Sequence, residues 1–163
     1  MLKISVQKKG NSLQKLVKNF HKIDGEFVET GHFKEQGKHY SGLTYPELMS
    51  VHHNGGNPSG NAPLPPRPVL DLLHFRNQNL SDPKIKGYIR DWRKRPLSEA
   101  SNKILLDQIG RILAIREKRI FGSPTLASNA VPPKDRNQPL VETGDLKSKV
   151  SYKTSIDNSV KGV

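Results

Sequence analysis

Histidine is the side chain best suited to acid–base or metal chemistry near neutral pH, and this chain has six in 163 residues. His52 and His53 are adjacent. On a helix, neighbours point roughly 100° apart, so the pair cannot share a metal in the usual i, i+4 manner. Glu47 precedes them without completing an H-E-x-x-H pattern, and His32, His39 and His74 fall at no known ligand spacing. Serines are frequent, but none sits in a G-x-S-x-G elbow. No Walker loop or G-x-G-x-x-G occurs. Acidic residues number only 15, and nothing marks a pair poised for glycoside hydrolysis. The residue types and spacings therefore predict no catalytic centre, metal site or cofactor, and a small hydrolase ranks last among the readings.

Charge offers a different kind of chemistry. Lysine and arginine number 27, giving a net charge of +12, which favours polyanionic partners: nucleic acid or an acidic protein surface. The densest cluster is Arg90, Trp92, Arg93, Lys94 and Arg95. There the indole could stack a base while the cations meet phosphates, with Tyr88 one turn earlier. The competing reading is a buried tryptophan whose basic neighbours complement the C-terminal dipole of a helix. Basic residues are otherwise dispersed along the chain, which argues against a dedicated DNA-binding motif. Cysteine is absent, so disulfides and thiolate chemistry do not arise. No apolar run approaches ~18 residues, and the first ten residues lack the apolar stretch of a secretory signal. A protein made in a cytoplasm is expected.

The elements that must position these groups follow from periodicity. Leu2, Ile4 and Val6 alternate as a short strand, and Leu13, Leu16, Val17 and Phe20 form a helical stripe that Asp24-Gly25 ends. Phe27, Thr30-Gly31 and Phe33 suggest a strand bent at the glycine. Residues 34–42 read as a polar hairpin or loop. Thr44-Tyr45-Pro46-Glu47 is a capping box with proline in the first turn, and Leu48 and Val51 give the short helix an inner face before Gly55. A Gly/Pro/Asn-rich connection over 54–67 delivers the next helix, which begins at Val69 and ends by Asn77. Ser81-Asp82-Pro83 starts another, with Ile85, Tyr88, Ile89 and Trp92 inward. Ser98 caps the longest helix, Glu99 to Phe121, whose face is set by Leu105, Ile109, Ile112, Leu113 and Ile120 and widened by Ile104 and Ile115. Gly110 lies within it, at a propensity cost of about 1 kcal/mol, which points to close approach by a neighbouring element.

Residues 123–136 form a second long loop. Beyond it, Pro139-Leu140-Val141-Glu142-Thr143-Gly144 makes a turn with Leu140-Val141 tucked under an apolar layer. Leu146, Val150 and Tyr152 then alternate with lysines, mostly the period of a half-buried strand after a first turn that could be helical. Residues 156–163 read as a polar tail, and 1–155 as one domain.

That C-terminal block resembles the signature of tailed-phage neck and tail-completion proteins: Pro-Leu-apolar-acid-Thr-Gly-x-Leu followed by a basic, serine-containing strand. The preceding parts run in the same order: Ile109-Gly110, Arg116 with Arg119-Ile120, Ser123-Pro124-Thr125 and Lys134. A second signature lies mid-chain, with the helix ending at His52, the turn Gly55-Gly56, and Pro66-Arg67-Pro68 before Val69-Leu70. Two departures stand out: His53-Asn54 replaces an acidic residue and an aromatic, and the loop before Pro-Arg-Pro is longer than common. The resemblance spans Phe27 to Tyr152.

The resemblance implies an α+β subunit with a small antiparallel sheet packed against helices, and a structural role without catalytic residues. It implies a ring of copies at the head–tail junction of a virion. The ring would contact the head-closure or connector proteins on one side and the tail terminator or tail tube on the other. His52, Arg67, Pro68, Glu142, Thr143 and Gly144 are the interface and structural candidates, with Arg67 and Glu142 expected to fix loops through hydrogen bonds. The positive charge would face acidic partner rings or genomic DNA in the channel. The alternative is a basic nucleic-acid-binding protein.

Overall fold

The computed structural model describes residues 23–56, 64–77, 82–96, 98–123, 126 and 144–163. The expected strand at 2–6, the helix from Leu13, the loop interior at 57–63 and most of 123–143 lie outside the described residues. Within them the fold is α+β. Its elements are β1 (Val28–Gly31), a 3-10 turn (Lys34–Gln36), α1 (Tyr45–Asn54), α2 (Val69–Asn77), α3 (Pro83–Trp92), α4 (Glu99–Ile120), the one-turn α5 (Asp145–Lys149), β2 (Ser151–Thr154) and β3 (Lys161–Gly162).

Local chemistry sets the helix ends. The Glu47 carboxylate accepts the Thr44 backbone N–H at 2.8 Å and the Thr44 hydroxyl at 2.7 Å, which ties down the start of α1. Asp82 Oδ1 accepts from Lys84 N–H at 2.6 Å at the start of α3, so the aspartate of Ser-Asp-Pro is the cap. Ser98 Oγ accepts from Ser101 N–H at 3.1 Å and starts α4. Ile23 is helical and Asp24-Gly25 forms the turn that follows it.

The sheet runs β1-β2-β3 with both pairs antiparallel; Thr30 faces Tyr152 and Glu29 faces Lys153. One face lies on α4, where the Tyr152 ring packs on Gly110. The 3-10 turn covers the other. There Lys153 Nζ meets Glu35 at 2.6 Å and Gln36 Nε2 donates to Ser151 Oγ at 2.9 Å. With both faces covered, every residue of β2 is buried, including Lys153 and Ser151. Tyr45, Leu48, Met49, Val69, Leu73, Ala114, Ile120, Leu146 and Val150 make up most of the main core. Each such side chain contributes roughly 1.5–3 kcal/mol when fully buried.

Three expectations are corrected. The helical option for the first turn is the one taken, as α5, so Leu146 and Val150 point inward at a spacing of four; the strand is confined to Ser151–Thr154 and is fully buried where a half-buried one was expected. The buried face of α4 is Leu105, Leu106, Gly110, Ala114, Glu117 and Ile120; Ile109, Ile112 and Leu113 are half-buried flanks and Ile104 is exposed. Small residues hold the centre because the sheet comes close there. Residues 156–163 are no loose tail. Asp157 joins Lys103 at 2.8 Å, Lys161 joins Asp107 at 2.6 Å, and β3 pairs with β2.

Candidate functional site

The mid-chain signature closes on itself. Gly55 ends α1 at φ 72°, a region that favours glycine, and a Cβ there would come within 2.7 Å of the Leu64 carbonyl. Gly56 and Leu64 exchange backbone hydrogen bonds of 3.1 and 2.7 Å, so the base of the 57–63 loop is clamped. The chain then returns to α1, where Arg67 N–H donates to the His52 carbonyl at 2.9 Å and the guanidinium Nη1 meets His52 Nδ1 at 3.4 Å. Arg67 is 1% exposed. Since the guanidinium can only donate, His52 Nδ1 accepts, and its ring is neutral: burial, then the Arg67 charge, lowers its pKa to about 4. Pro68 follows, its carbonyl accepting the Leu72 N–H in the first turn of α2. His52, Arg67 and Pro68 are thus brought together as a lock on the loop.

Other candidates lie elsewhere. Gly144 takes φ 72° and opens α5, while Glu142 and Thr143 lie outside the described residues. Arg90, Arg93, Lys94 and Arg95 are exposed around the end of α3. Trp92 is not among the accessible polyanion contacts: it is 3% exposed, and its Nε1–H donates to Asn102 Oδ1 at 3.0 Å inside the α3–α4 contact. A ring so placed cannot stack a base. Among the described residues, no three histidine, aspartate or glutamate side chains converge as a metal site.

A further constellation has no counterpart among the sequence motifs. Between β1, α1 and α2 opens a cleft of about 240 Å³, lined by Thr30, Gly31, His32, Ser50, His53 and Leu70 among others. Behind it lies Glu117, fully buried on α4. The Thr30 hydroxyl donates to its Oε2 at 3.0 Å, while Oε1 has no partner. Burial pushes this carboxyl up to about 7, against the smaller pull of the Thr30 hydrogen bond. His32 Nε2 donates to the Leu146 carbonyl at 2.8 Å, and burial lowers that ring's pKa. The signal in the sequence is a glutamate on the inner face of an apolar helix, three residues before Ile120.

No protein-family model matches the chain, and no curated protein or solved structure matches it either. Function is therefore read from the residues and their geometry. The His52–Arg67 lock fixes a loop and presents no reactive atom. The cleft is walled largely by apolar side chains, with Thr30, His32 and His53 among its lining.

Proposed function

We propose that this chain is a structural subunit of the head–tail junction of a tailed phage. Copies in a ring would complete the neck or tail and join it to the capsid connector. The observation that carries this reading is the contact between His52 and the buried Arg67. His52 and Arg67 are two of the three mid-chain candidates, beside Pro68, and Arg67 is the one of them expected to fix a loop through hydrogen bonds. An α+β fold with a small antiparallel sheet on helices agrees with the same resemblance. The partners would be further copies, head-closure proteins and the tail terminator or tube. No helix among the described residues is long and apolar enough to cross a membrane.

Electron microscopy of particles assembled without this gene tests the reading. Filled heads and separate tails, restored to whole virions by added protein, are expected; normal virions would overturn it. The second reading, a nucleic-acid-binding protein, draws on the exposed cations at the end of α3. Duplex binding with a steep salt slope would favour it.

A further inference from the structure

Gly87 sits in the middle of α3, where the fold gives it no task. Its φ is not positive, so the backbone there does not require glycine. A Cβ built on it meets nothing within 4 Å, in contrast to Gly110, whose missing side chain makes room for Tyr152. Glycine is, after proline, the least favourable residue for a helix interior. Its presence therefore weakens α3 with no gain in packing within the chain.

The residues around Gly87 share one character. At about 100° per residue, Lys84 and Arg90 stand three positions to either side of it on the outward face. Lys94 follows seven positions on, and Lys86 and Arg93 run along one flank. All five cations are exposed, as is Arg95 just past the helix, while Ile85, Ile89 and Trp92 turn inward. Among the described residues one carboxylate meets these cations: Asp91 lies 3.7 Å from Lys94 Nζ, an exposed pair too weak to neutralise the face. Asp82 is occupied by Arg116. From Lys84 to Arg93 the charge extends about 14 Å along the axis, the rise of roughly four nucleotides of one duplex strand.

We propose that this face of α3 binds the sugar–phosphate backbone of a nucleic-acid duplex, with the bare helix at Gly87 admitting a phosphate between Lys84, Arg90 and Lys94. The inference rests on the second reading above, that the chain binds nucleic acid, and is independent of the junction role. Three features select the partner. Surfaces that dock on proteins centre on aromatic or aliphatic anchors, and the outward residues of α3 offer none beyond the ring of Pro83. Unpaired bases need an aromatic platform, and Trp92 is buried against Asn102. A duplex backbone needs only cations and room for close approach, which the glycine supplies.

Fluorescence anisotropy of the full chain with a short labelled duplex, repeated between about 50 and 200 mM salt, tests this. Engagement of these five cations predicts a slope of roughly −4 for log K against log salt, alike for two unrelated sequences. DNA and RNA duplexes compared side by side identify the source of the backbone. Gly87→Leu places a good helix former on an open surface, so a higher thermal midpoint is expected together with binding at least about tenfold weaker. Arg90→Gln with Arg93→Gln should reduce the slope by about two and leave the circular dichroism spectrum unchanged. Should Gly87→Leu melt below wild type, the fold itself needs the glycine and the proposal falls. Gly87→Leu protein that binds like wild type, or an unchanged slope in the arginine variant, would overturn it and leave nucleic-acid binding to another face. Absence of duplex binding at about 50 mM salt would remove both this inference and the nucleic-acid reading. Displacement of the duplex by polyglutamate at equal charge concentration would assign the face to an acidic protein instead.

Discussion

The ring of Tyr152 in β2 occupies the space that a side chain at Gly110 of α4 would need: an ideal Cβ there would lie 2.9 Å from the ring's Cγ. This contact sets how closely the sheet approaches the long helix. Gly110→Ala gains about 1 kcal/mol of helix propensity but forces the ring aside, at a typical overpacking cost of roughly 1–3 kcal/mol. A net loss of up to about 2 kcal/mol is expected, read as a lower urea midpoint with an unchanged slope. Combining it with Tyr152→Leu should recover part of the loss, because the two changes share one space. An alanine variant more stable than wild type would refute this packing account.

Glu117 makes stability depend on pH. Its folded pKa of about 7 lies above the ordinary 4.5, so between these values the native state holds more protons than the unfolded chain. Stability therefore falls as pH rises through that window, by up to roughly 3 kcal/mol once the carboxyl is fully ionised. Glu117→Gln keeps an acceptor for Thr30 and removes the charge. Urea unfolding at pH 9 should find the glutamine variant the more stable, with the advantage gone below about pH 4.5. Parallel pH profiles would show that the carboxyl is not held protonated.

His52 acts in the opposite sense. Its folded pKa of about 4 lies below the ordinary 6.5, so the unfolded chain binds the extra proton and stability is lost as pH falls from 6.5 toward 4. Replacing His52 with Gln, which cannot protonate there, should flatten this acid limb. Arg67→Met should cost roughly 1–3 kcal/mol at pH 7, since it strips a buried donor from His52 Nδ1. Hydrogen exchange would locate the damage: faster exchange at Gly56 and Leu64 is expected, and exchange unchanged there would mean the loop does not depend on the lock.

The C-terminal segment is held by backbone pairing and by charge. Lys161→Met removes only partly exposed ion pairs to Asp107 and Asp157, worth less than about 1 kcal/mol. Removing residues 156–163 also strips β3 from β2 and should cost more. Mass-spectrometric hydrogen exchange over Ser151–Thr154 separates the cases, with protection kept in the point variant and reduced in the truncation, where only the β1 pairing remains. Equal protection in both would make β3 dispensable.

Helix boundaries were legible in the amino-acid order, because each depends on atoms a few residues apart. Thr44 and Glu47, Asp82 and Pro83, Ser98 and Gly55 act within their own turns, and the structure places them as their types require. Gly110 likewise announced a close neighbour, though not which one. Contacts across long separations came only with the packed chain. Thr30 meets Glu117 from 87 residues away, and Lys161 meets Asp107 from 54. Whether a polar segment trails in solvent or completes a sheet depends on a partner strand's free edge. Whether a glutamate on a helix is solvated or buried depends on which face the sheet covers. A one-dimensional pattern carries neither fact, so the ordered tail and the buried Glu117 emerged from packing.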